Sequence, residues 1–473
     1  MGMLKIGFDL DGVILNNTYF KTQKLKEIYG IELEEWKLNS NLIDDYITNV
    51  DIRHHLGRLA GTSTNDQFVD ADCVDCFQRL IDAGCELYLV SRRGKSDLGV
   101  INANKSIENL DIKKFFKGCF FCETEEMKLN TIKELNLHCF FDDRIEVING
   151  LDGAIPMPVL FDPFYVVERS LLNINCNCEI SNCFKEIAVK IVSDAANIVF
   201  CLSIGKKKFY IKFYVDDIKR QKDNELLLYH WIESSEHNFF KRLLFEEKIG
   251  KSYAVFEEVE GILLADLLSK HALQEVVAER VVDAFVELIN TLHHLNTIGY
   301  GSINENREGG FVSFSDFFRA YITPTLEALN TCDEMKKWVC IANKICNESI
   351  NFLGAGNNGV VPMDNNFRNI MVSDTRVVFI DPGAVLSAPI EMGYGEFVAH
   401  AYGTILYPIL IEKLGVDREV EKKIRTFSIF SLLNIMAFLV RNGCSNPDEK
   451  CPYGNDKTFS QLLEEHLTFV QSI

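Results

Sequence analysis

Along the first third of the chain, short apolar runs alternate with longer segments in which apolar residues recur every three or four positions. The runs "KIGFDL", "CELYLVS", "GCFFC", "HCFFDD" and "PVLFD" have strand length, while intervening stretches such as "TIKELN" have helical period. Strands that cross over through helices predict a mainly parallel, doubly wound α/β sheet over roughly residues 4–165. From Val166 to Phe184 the chain is rich in Asn and Cys and has no long apolar run. A first domain at 1–168 and a linker at 169–185 are therefore expected.

The texture then changes. "NIVFCLSI" and "KKFYIKFYV" are β-branched and aromatic runs joined by "GKK", which predicts a hairpin. A helix-like "NELLLYHWIESSEHNFFKRLLF" and a strand-like "SYAVFEEV" follow. Beyond Gly261 most segments are helical in period, except near Asp364 and Asp381, where short strand-like runs return. The pattern predicts a small strand-rich lobe at 186–260 and a larger helical lobe at 261–473. The most apolar uncharged run, Thr426 to Val440, has 15 residues and includes Ser428, Ser431 and Asn434. A membrane span needs about 20 residues, so a core helix is predicted and no membrane partner.

Composition narrows the classes. At 473 residues, 47% hydrophobic and 25% charged, the chain has room for several cores of globular type. Its net charge of −19 argues against a duplex nucleic acid partner, which binds mainly by having its phosphates neutralised. The 15 cysteines are odd in number and widely spread, which favours free thiols and a cytoplasmic setting. The pairs Cys73/Cys76 and Cys119/Cys122 have zinc-ligand spacing, yet they lie in a helical and a strand-like context that turns them toward a core. The start, "MLKIGFDLDG", enters a strand-like run at once, without a secretory apolar region.

Candidate chemistry gathers at strand ends. "FDLDGVI" closes an apolar strand with Asp9 and Asp11, and alternation would point both carboxylates the same way. Two close carboxylates repel unless a cation intervenes, so magnesium is the natural partner. "YLVSRR" ends in Ser91, Arg92 and Arg93, a hydroxyl and cations suited to a phosphate. "HCFFDDR" supplies Asp142 and Asp143, and Lys128 lies 14 residues before Asp142.

These fragments, in this order, resemble the haloacid dehalogenase superfamily of phosphatases. The resemblance implies that Asp9 is the nucleophile and Asp11 the acid and base. It makes Ser91, Arg92 and Lys128 phosphate binders, with Lys133 a weaker rival to Lys128. Asp9, Asp11 and Asp142 or Asp143 would ligate magnesium, and the insert at about 14–74 would be a small helical cap.

A second set lies beyond the hairpin. Lys212 sits in an alternating strand, and Glu225 opens the next helix-like stretch 13 residues on, a pairing that kinases use to hold nucleotide phosphates. Ser193 and Asn197 precede the hairpin, and "YAVFEEVEG" has the character of an interlobe connection in which backbone groups from Glu257 to Val259 would meet adenine. "VPMDNNFRNIMV" places Asp364 and Asn369 five residues apart, and Asp381 follows 12 residues later. The order resembles aminoglycoside phosphotransferase and choline kinase-like enzymes, a two-lobed protein-kinase-like fold. That resemblance implies Asp364 as catalytic base, Asn369 and Asp381 as magnesium ligands, and Ser193, Asn197, Lys212, Glu225, Glu257 and Val259 around ATP. Pro362 and Met363 stand where that group has His and Gly, a departure at the loop's support.

Together the two halves predict a bifunctional enzyme. Its phosphatase would act on small phosphomonoesters, and its kinase on a small-molecule hydroxyl such as that of a sugar, nucleoside or amino alcohol. Two alternatives remain at this stage: a nucleic-acid end-processing pair, disfavoured by charge and by the lack of a G-x4-G-K-[ST] loop, and a phosphatase regulated by an inactive nucleotide-binding lobe.

Overall fold

The computed structural model describes residues 3–472 except 171–177, 194–196, 215–218, 233–238, 247–252, 384, 445–447 and 449–455. It comprises two compact units, each built from two stretches of chain: Met1–Asp217 with Arg242–Glu258, and Ile218–Lys241 with Val259–Ile473.

The first unit contains a parallel sheet of six strands: β1 (Lys5–Phe8), β2 (Glu86–Ser91), β3 (Phe116–Phe121), β4 (Cys139–Asp142), β5 (Met157–Phe161) and β6 (Glu179–Ser181). Their spatial order is β3-β2-β1-β4-β5-β6. The order reverses between β1 and β4, and the crevice beyond the carboxyl ends of those strands is where such sheets bind ligands. Helices cover the sheet because its strands are apolar on both faces. Phe8 stacks on Phe141 at 5.0 Å and meets Phe77 edge-on at 5.0 Å. Cys73 and Cys76 are buried beside Phe77 in this core, and burial pushes the Cys76 thiol up to about 12.

The stretch expected as a linker carries β6, which extends the sheet beside β5. Phe184 then plugs the core: it is fully buried against Phe161 at 4.8 Å and Phe77 at 5.6 Å, and its N–H donates to Asp70 at 2.6 Å. A strand of three residues leaves too short a pattern for periodicity to register.

A five-stranded antiparallel sheet belongs to the same unit: β7 (Ile187–Ser193), β8 (Ile198–Ile204), β9 (Lys207–Phe213), β10 (Leu243–Glu246) and β11 (Tyr253–Glu257), ordered β10-β11-β9-β8-β7. The two sheets share one apolar core, in which Ile187, Phe200, Leu202 and Ile211 join Phe8, Phe77 and Phe141. His138, just before β4, meets Phe213 at 5.1 Å and Tyr253 at 4.6 Å, both edge-on. Its Nδ1 accepts from the Lys5 N–H at 2.9 Å, and burial lowers its pKa to about 3, so the ring packs as a neutral group. The strand-rich lobe thus folds onto the parallel sheet, whereas 218–241, expected inside that lobe, belongs to the second unit.

The insert after β1 forms helices Asn17–Tyr29 and Val50–Thr62 around a small core of Leu25, Leu38, Ile47 and Leu56.

The second unit is mainly helical. Its helix Arg418–Arg441 is long and apolar enough to cross a membrane by length and composition, but Phe427, Ile429, Phe430, Leu433 and Met436 are buried in the unit's core. Two small antiparallel sheets frame its polar loops. One orders β12 (Ile262–Leu263), β16 (Ile370–Val372) and β17 (Val377–Phe379). The other has β13 (Tyr300–Ile303), β14 (Gly309–Phe311), β15 (Asn358–Pro362) and β18 (Val385–Pro389), ordered β14-β13-β18-β15. Pro362 ends the edge strand β15, where a missing N–H costs no ladder bond.

Candidate functional sites

The first site forms where β1 and β4 end side by side. Asp9 and Asp142 face one another across the buried Lys128, whose Nζ lies 3.0 Å from Asp9 Oδ2 and 2.5 Å from Asp142 Oδ2. Asp9 Oδ1 accepts the Leu10 N–H at 2.8 Å, and Asp142 Oδ1 accepts that of Arg144 at 3.0 Å. Lys133 is exposed on the same helix and plays no part here. Carboxylate oxygens of Asp9, Asp142 and Asp143 lie within 4.8 Å of one another, the one group of metal-ligating side chains so placed among the described residues.

Burial is the main cause of the raised pKa values here. It lifts Asp9 to about 8 against the pull of Lys128, with Asp142, Asp11 and Asp143 adding repulsion, and it lifts Asp143 to about 7. A divalent cation would relieve that repulsion, and hard carboxylate oxygens are its preferred ligands. The residues present therefore fit magnesium.

Gly12 explains how Asp143 comes so close. With φ at +83°, it adopts a turn that favours glycine, and a Cβ there would lie 2.3 Å from Asp143 Oδ2. That turn also corrects the expectation that Asp9 and Asp11 point alike along a strand. β1 stops at Phe8, the chain curls, and Asp11 meets a different partner.

The partner is Arg93. Its Nε lies 2.9 Å from Asp11 Oδ2, and its second amino nitrogen 2.6 Å from Oδ1. The neighbouring Arg92, expected to bind phosphate, is half-exposed and pairs with Glu125 at 3.1 Å. A 3-10 turn beginning at Arg93 rotates the chain just after β2 and exchanges the two arginines. Ser91 ends β2 with its Oγ buried and without a hydrogen-bond partner. From the insert, Asn41 donates to the Asp143 carbonyl at 2.7 Å and accepts from the Ile145 N–H at 3.1 Å. Neither Asn41 nor the inward Lys21, considered below, was legible in the sequence, because a polar residue in a charged helical insert has the pattern of a solvated one.

The second site lies in the helical unit, in the loop between β15 and β16. Asp364 Oδ1 accepts from Asn366 Nδ2 at 2.6 Å, and the Asp364 carbonyl accepts from Asn369 Nδ2 at 3.2 Å. With its amide nitrogen so used, Asn369 keeps Oδ1 for a cation. The Ile380 N–H donates to the Asn369 carbonyl at 2.8 Å, tying the loop to the strand that leads into Asp381. Gly383, φ +61°, packs so closely that a Cβ would fall 2.2 Å from that of Asp364. Burial raises the pKa of Tyr229, and the Glu225 and Asp381 carboxylates both add to it.

The loop is supported from buried side chains. Glu396 is buried in helix Ile390–Ala401, and its carboxyl oxygens accept the Asn365 N–H at 3.0 and 3.2 Å. Asn365 Nδ2 donates to the Pro362 carbonyl at 2.9 Å. Burial, with Asp364 adding, raises Glu396 to about 8, and burial lowers neighbouring His400 to about 4. Both are neutral near pH 7, so the 3.8 Å between them is a contact of uncharged groups. His293, at the end of helix Glu275–His293, has its Nε2 buried without a hydrogen-bond partner among the described residues.

In the antiparallel sheet of the first unit, Lys212 is buried on β9 between Val199 and Ala254, 5.1 Å from the Tyr214 ring. Asn197 is buried with its Oδ1 unpartnered, and Ser193 is exposed at the end of β7. The Glu257 N–H is taken by the Arg242 carbonyl at 3.1 Å, so that backbone donor is already used within the sheet; Val259 lies two residues beyond it.

No protein-family model and no curated protein matches this sequence. Solved structures are similar to it over about three fifths of its length. An apo thermostable mutant of aminoglycoside phosphotransferase APH(4)-Ia overlaps 61% of this chain and 96% of its own, at 13% identity and a TM-score of 0.47. The streptomycin-ATP ternary complex of APH(2")-IIa covers 61% and 92%, at 12% identity and 0.39. Choline kinase from Cryptosporidium parvum Iowa II covers 61% and 90%, at 10% identity and 0.39.

Proposed function

We propose that the chain is a bifunctional small-molecule enzyme, a magnesium-dependent phosphomonoesterase in the first unit and an ATP-dependent hydroxyl kinase whose catalytic loop lies in the second. The phosphatase reading rests above all on one observation: the buried Ser91 hydroxyl lacks a partner at the end of the strand next to the one carrying Asp9, whose carboxylate Lys128 holds. A tetrahedral phosphoryl group would satisfy that hydroxyl and take up the lysine's remaining donors.

In this reading an Asp9 oxygen attacks phosphorus while the bond to the ester oxygen breaks, and Asp11 delivers a proton to the departing alcohol. Water then attacks the aspartyl-phosphate, giving its proton back to Asp11 and releasing inorganic phosphate and free Asp9. Arg93 grips both oxygens of Asp11 and so fixes its direction. Asp9, Asp142 and Asp143 would hold magnesium, which supplies charge neutralisation for the attacking carboxylate and the phosphoryl oxygens.

For the kinase half, Asp364 accepts the proton of the acceptor hydroxyl as that oxygen bonds to the γ-phosphorus of ATP and ADP leaves. Asn369 and Asp381 would hold its magnesium. The fixed Asp364 loop, braced by Glu396 and Asn365, favours a working site over an inactive lobe. Lys212, Glu225, Ser193, Asn197, Glu257 and Val259 remain the proposed ATP contacts, and the cytoplasm the proposed location.

The test is a metabolite screen with wild type, Asp9→Asn and Asp364→Asn. Phosphate release should vanish only in the first variant and ATP consumption only in the second. Phosphatase turnover that survives Asp9→Asn sinks the first assignment. If no hydroxyl compound supports ATP consumption while ATP still raises the melting temperature, the second unit is a binding module.

A further inference from the structure

Helix Asn17–Tyr29 in the insert packs the wrong way round for a helix driven by hydrophobic burial. Its inward residues are Asn17, Thr18, Lys21 and Leu25, while Tyr19 and Ile28 are 40% and 45% exposed. An amphipathic helix puts its apolar stripe inward. Three of the four inward residues, Asn17, Thr18 and Lys21, lie in the first turns, and Lys21 acts on the Asp143 and Asp11 carboxylates beyond β1 and β4.

Lys21 is the centre of it. Only 9% of the residue is exposed, and burial lowers its pKa against the pull of the Asp143 and Asp11 carboxylates; it makes no hydrogen bond or ion pair with any described residue. The ammonium nitrogen is not among the fully buried polar atoms that lack a partner, so burial of the stem leaves the charged head within reach of solvent or a ligand. Lys128 takes Asp9 and Asp142 and Arg93 takes Asp11, so the acid whose charge Lys21 offsets is Asp143, which a metal ion would neutralise in its place. Its charge is therefore open to a ligand.

We propose that Lys21 selects the phosphatase substrate by pairing with a second anionic group, a carboxylate or another phosphate, carried close to the ester oxygen. This rests on the phosphomonoesterase reading, in which Ser91 and Lys128 take the phosphoryl oxygens and Asp11 faces the departing oxygen. A cation beside Asp11 and Asp143 then meets the organic part of the ester. A neutral alcohol would offer Lys21 no counter-charge; an anion would.

The experiment uses full-length Asp9→Asn protein with magnesium and isothermal titration calorimetry of three probes: 2-phosphoglycolate, ethylene glycol bisphosphate and ethyl phosphate. Steady-state hydrolysis by the Asp9 form runs in parallel. One of the two doubly anionic probes should bind at least tenfold more tightly than ethyl phosphate, and which one identifies the group. Adding Lys21→Met should bring that ratio near one, through KM more than kcat in the hydrolysis arm, and Lys21→Arg should recover part of it.

A ratio near one in the parent, or a ratio unchanged by Lys21→Met, overturns the proposal. Loss of all three probes together with a lower melting temperature also overturns it, since Lys21 would then be structural. If no probe is hydrolysed, the phosphatase reading fails, and the binding ratios still decide the role of Lys21.

Discussion

Arg93 holds Asp11 by both carboxylate oxygens, at 2.9 Å from Nε and 2.6 Å from an amino nitrogen, with the guanidinium almost wholly buried. A lysine cannot reproduce that fork. Arg93→Lys is therefore expected to lower kcat for phosphomonoesters by roughly 10- to 100-fold, with little change in KM, because the general acid loses its direction and the phosphate contacts remain. A change confined to KM would show that Arg93 binds substrate instead.

The two close glycines should separate the activities. Gly12→Ala places a methyl group on Asp143, and Gly383→Ala places one on Asp364, each at a positive φ. Strain of about 1–3 kcal/mol is expected at each. Phosphate release should fall only in the first variant and ATP consumption only in the second, measured on the same preparations. Loss of both activities in either variant would mean that one site's geometry depends on the other.

The fold was legible wherever pattern and chemistry coincide. "FDLDG" and "FFDD" revealed strand ends and acids together, and Lys128 followed from its order in the chain. Arg93 was not separable from Arg92, because which of two adjacent arginines turns inward depends on a 3-10 turn that neither residue specifies. Likewise, the bracing role of Glu396 has no signature in the sequence: it comes from the Asn365 N–H, which lies 31 residues away. β6 escaped detection because three residues show no period.

pH should act on Asp9 with a defined sign. Its pKa rises from an ordinary 3.8 to about 8 on folding, so between those values the folded protein holds a proton that the unfolded chain has lost. Stability contributed by that proton is complete below about pH 4 and disappears as pH climbs toward 8. Buried His138 and His400 act oppositely below pH 6.5, and the elevated Glu396 acts in the same direction as Asp9. The difference in melting temperature between wild type and Asp9→Asn cancels these shared effects. Without metal, the Asn variant should gain relative to wild type from pH 5 to 8.5, and magnesium should raise the wild-type melting temperature more at pH 8 than at pH 5. A pH-independent difference would refute the coupling.

Glu396→Gln should be mild and Glu396→Leu severe. Glutamine keeps an acceptor for the Asn365 N–H and matches the neutral state that burial favours. Leucine leaves that buried donor unpaired, at about 1–3 kcal/mol. Kinase kcat should fall less than about threefold in the first variant and more than about tenfold in the second. Equal losses would indicate that Glu396 acts as a charge.

The common core of the two sheets in the first unit bears on how this protein can be cut or inherited. A fragment ending at 185 would strip Ile187, Phe200, Leu202 and Ile211 from the surface that Phe77 and Phe184 present, leaving an apolar wound. Because the chain leaves that unit after Asp217, returns at Arg242 and departs again after Glu258, no single scissile point yields two intact bodies. Limited proteolysis should accordingly release no stable fragment corresponding to either expected half, and recombination could exchange these activities only by carrying both crossings together.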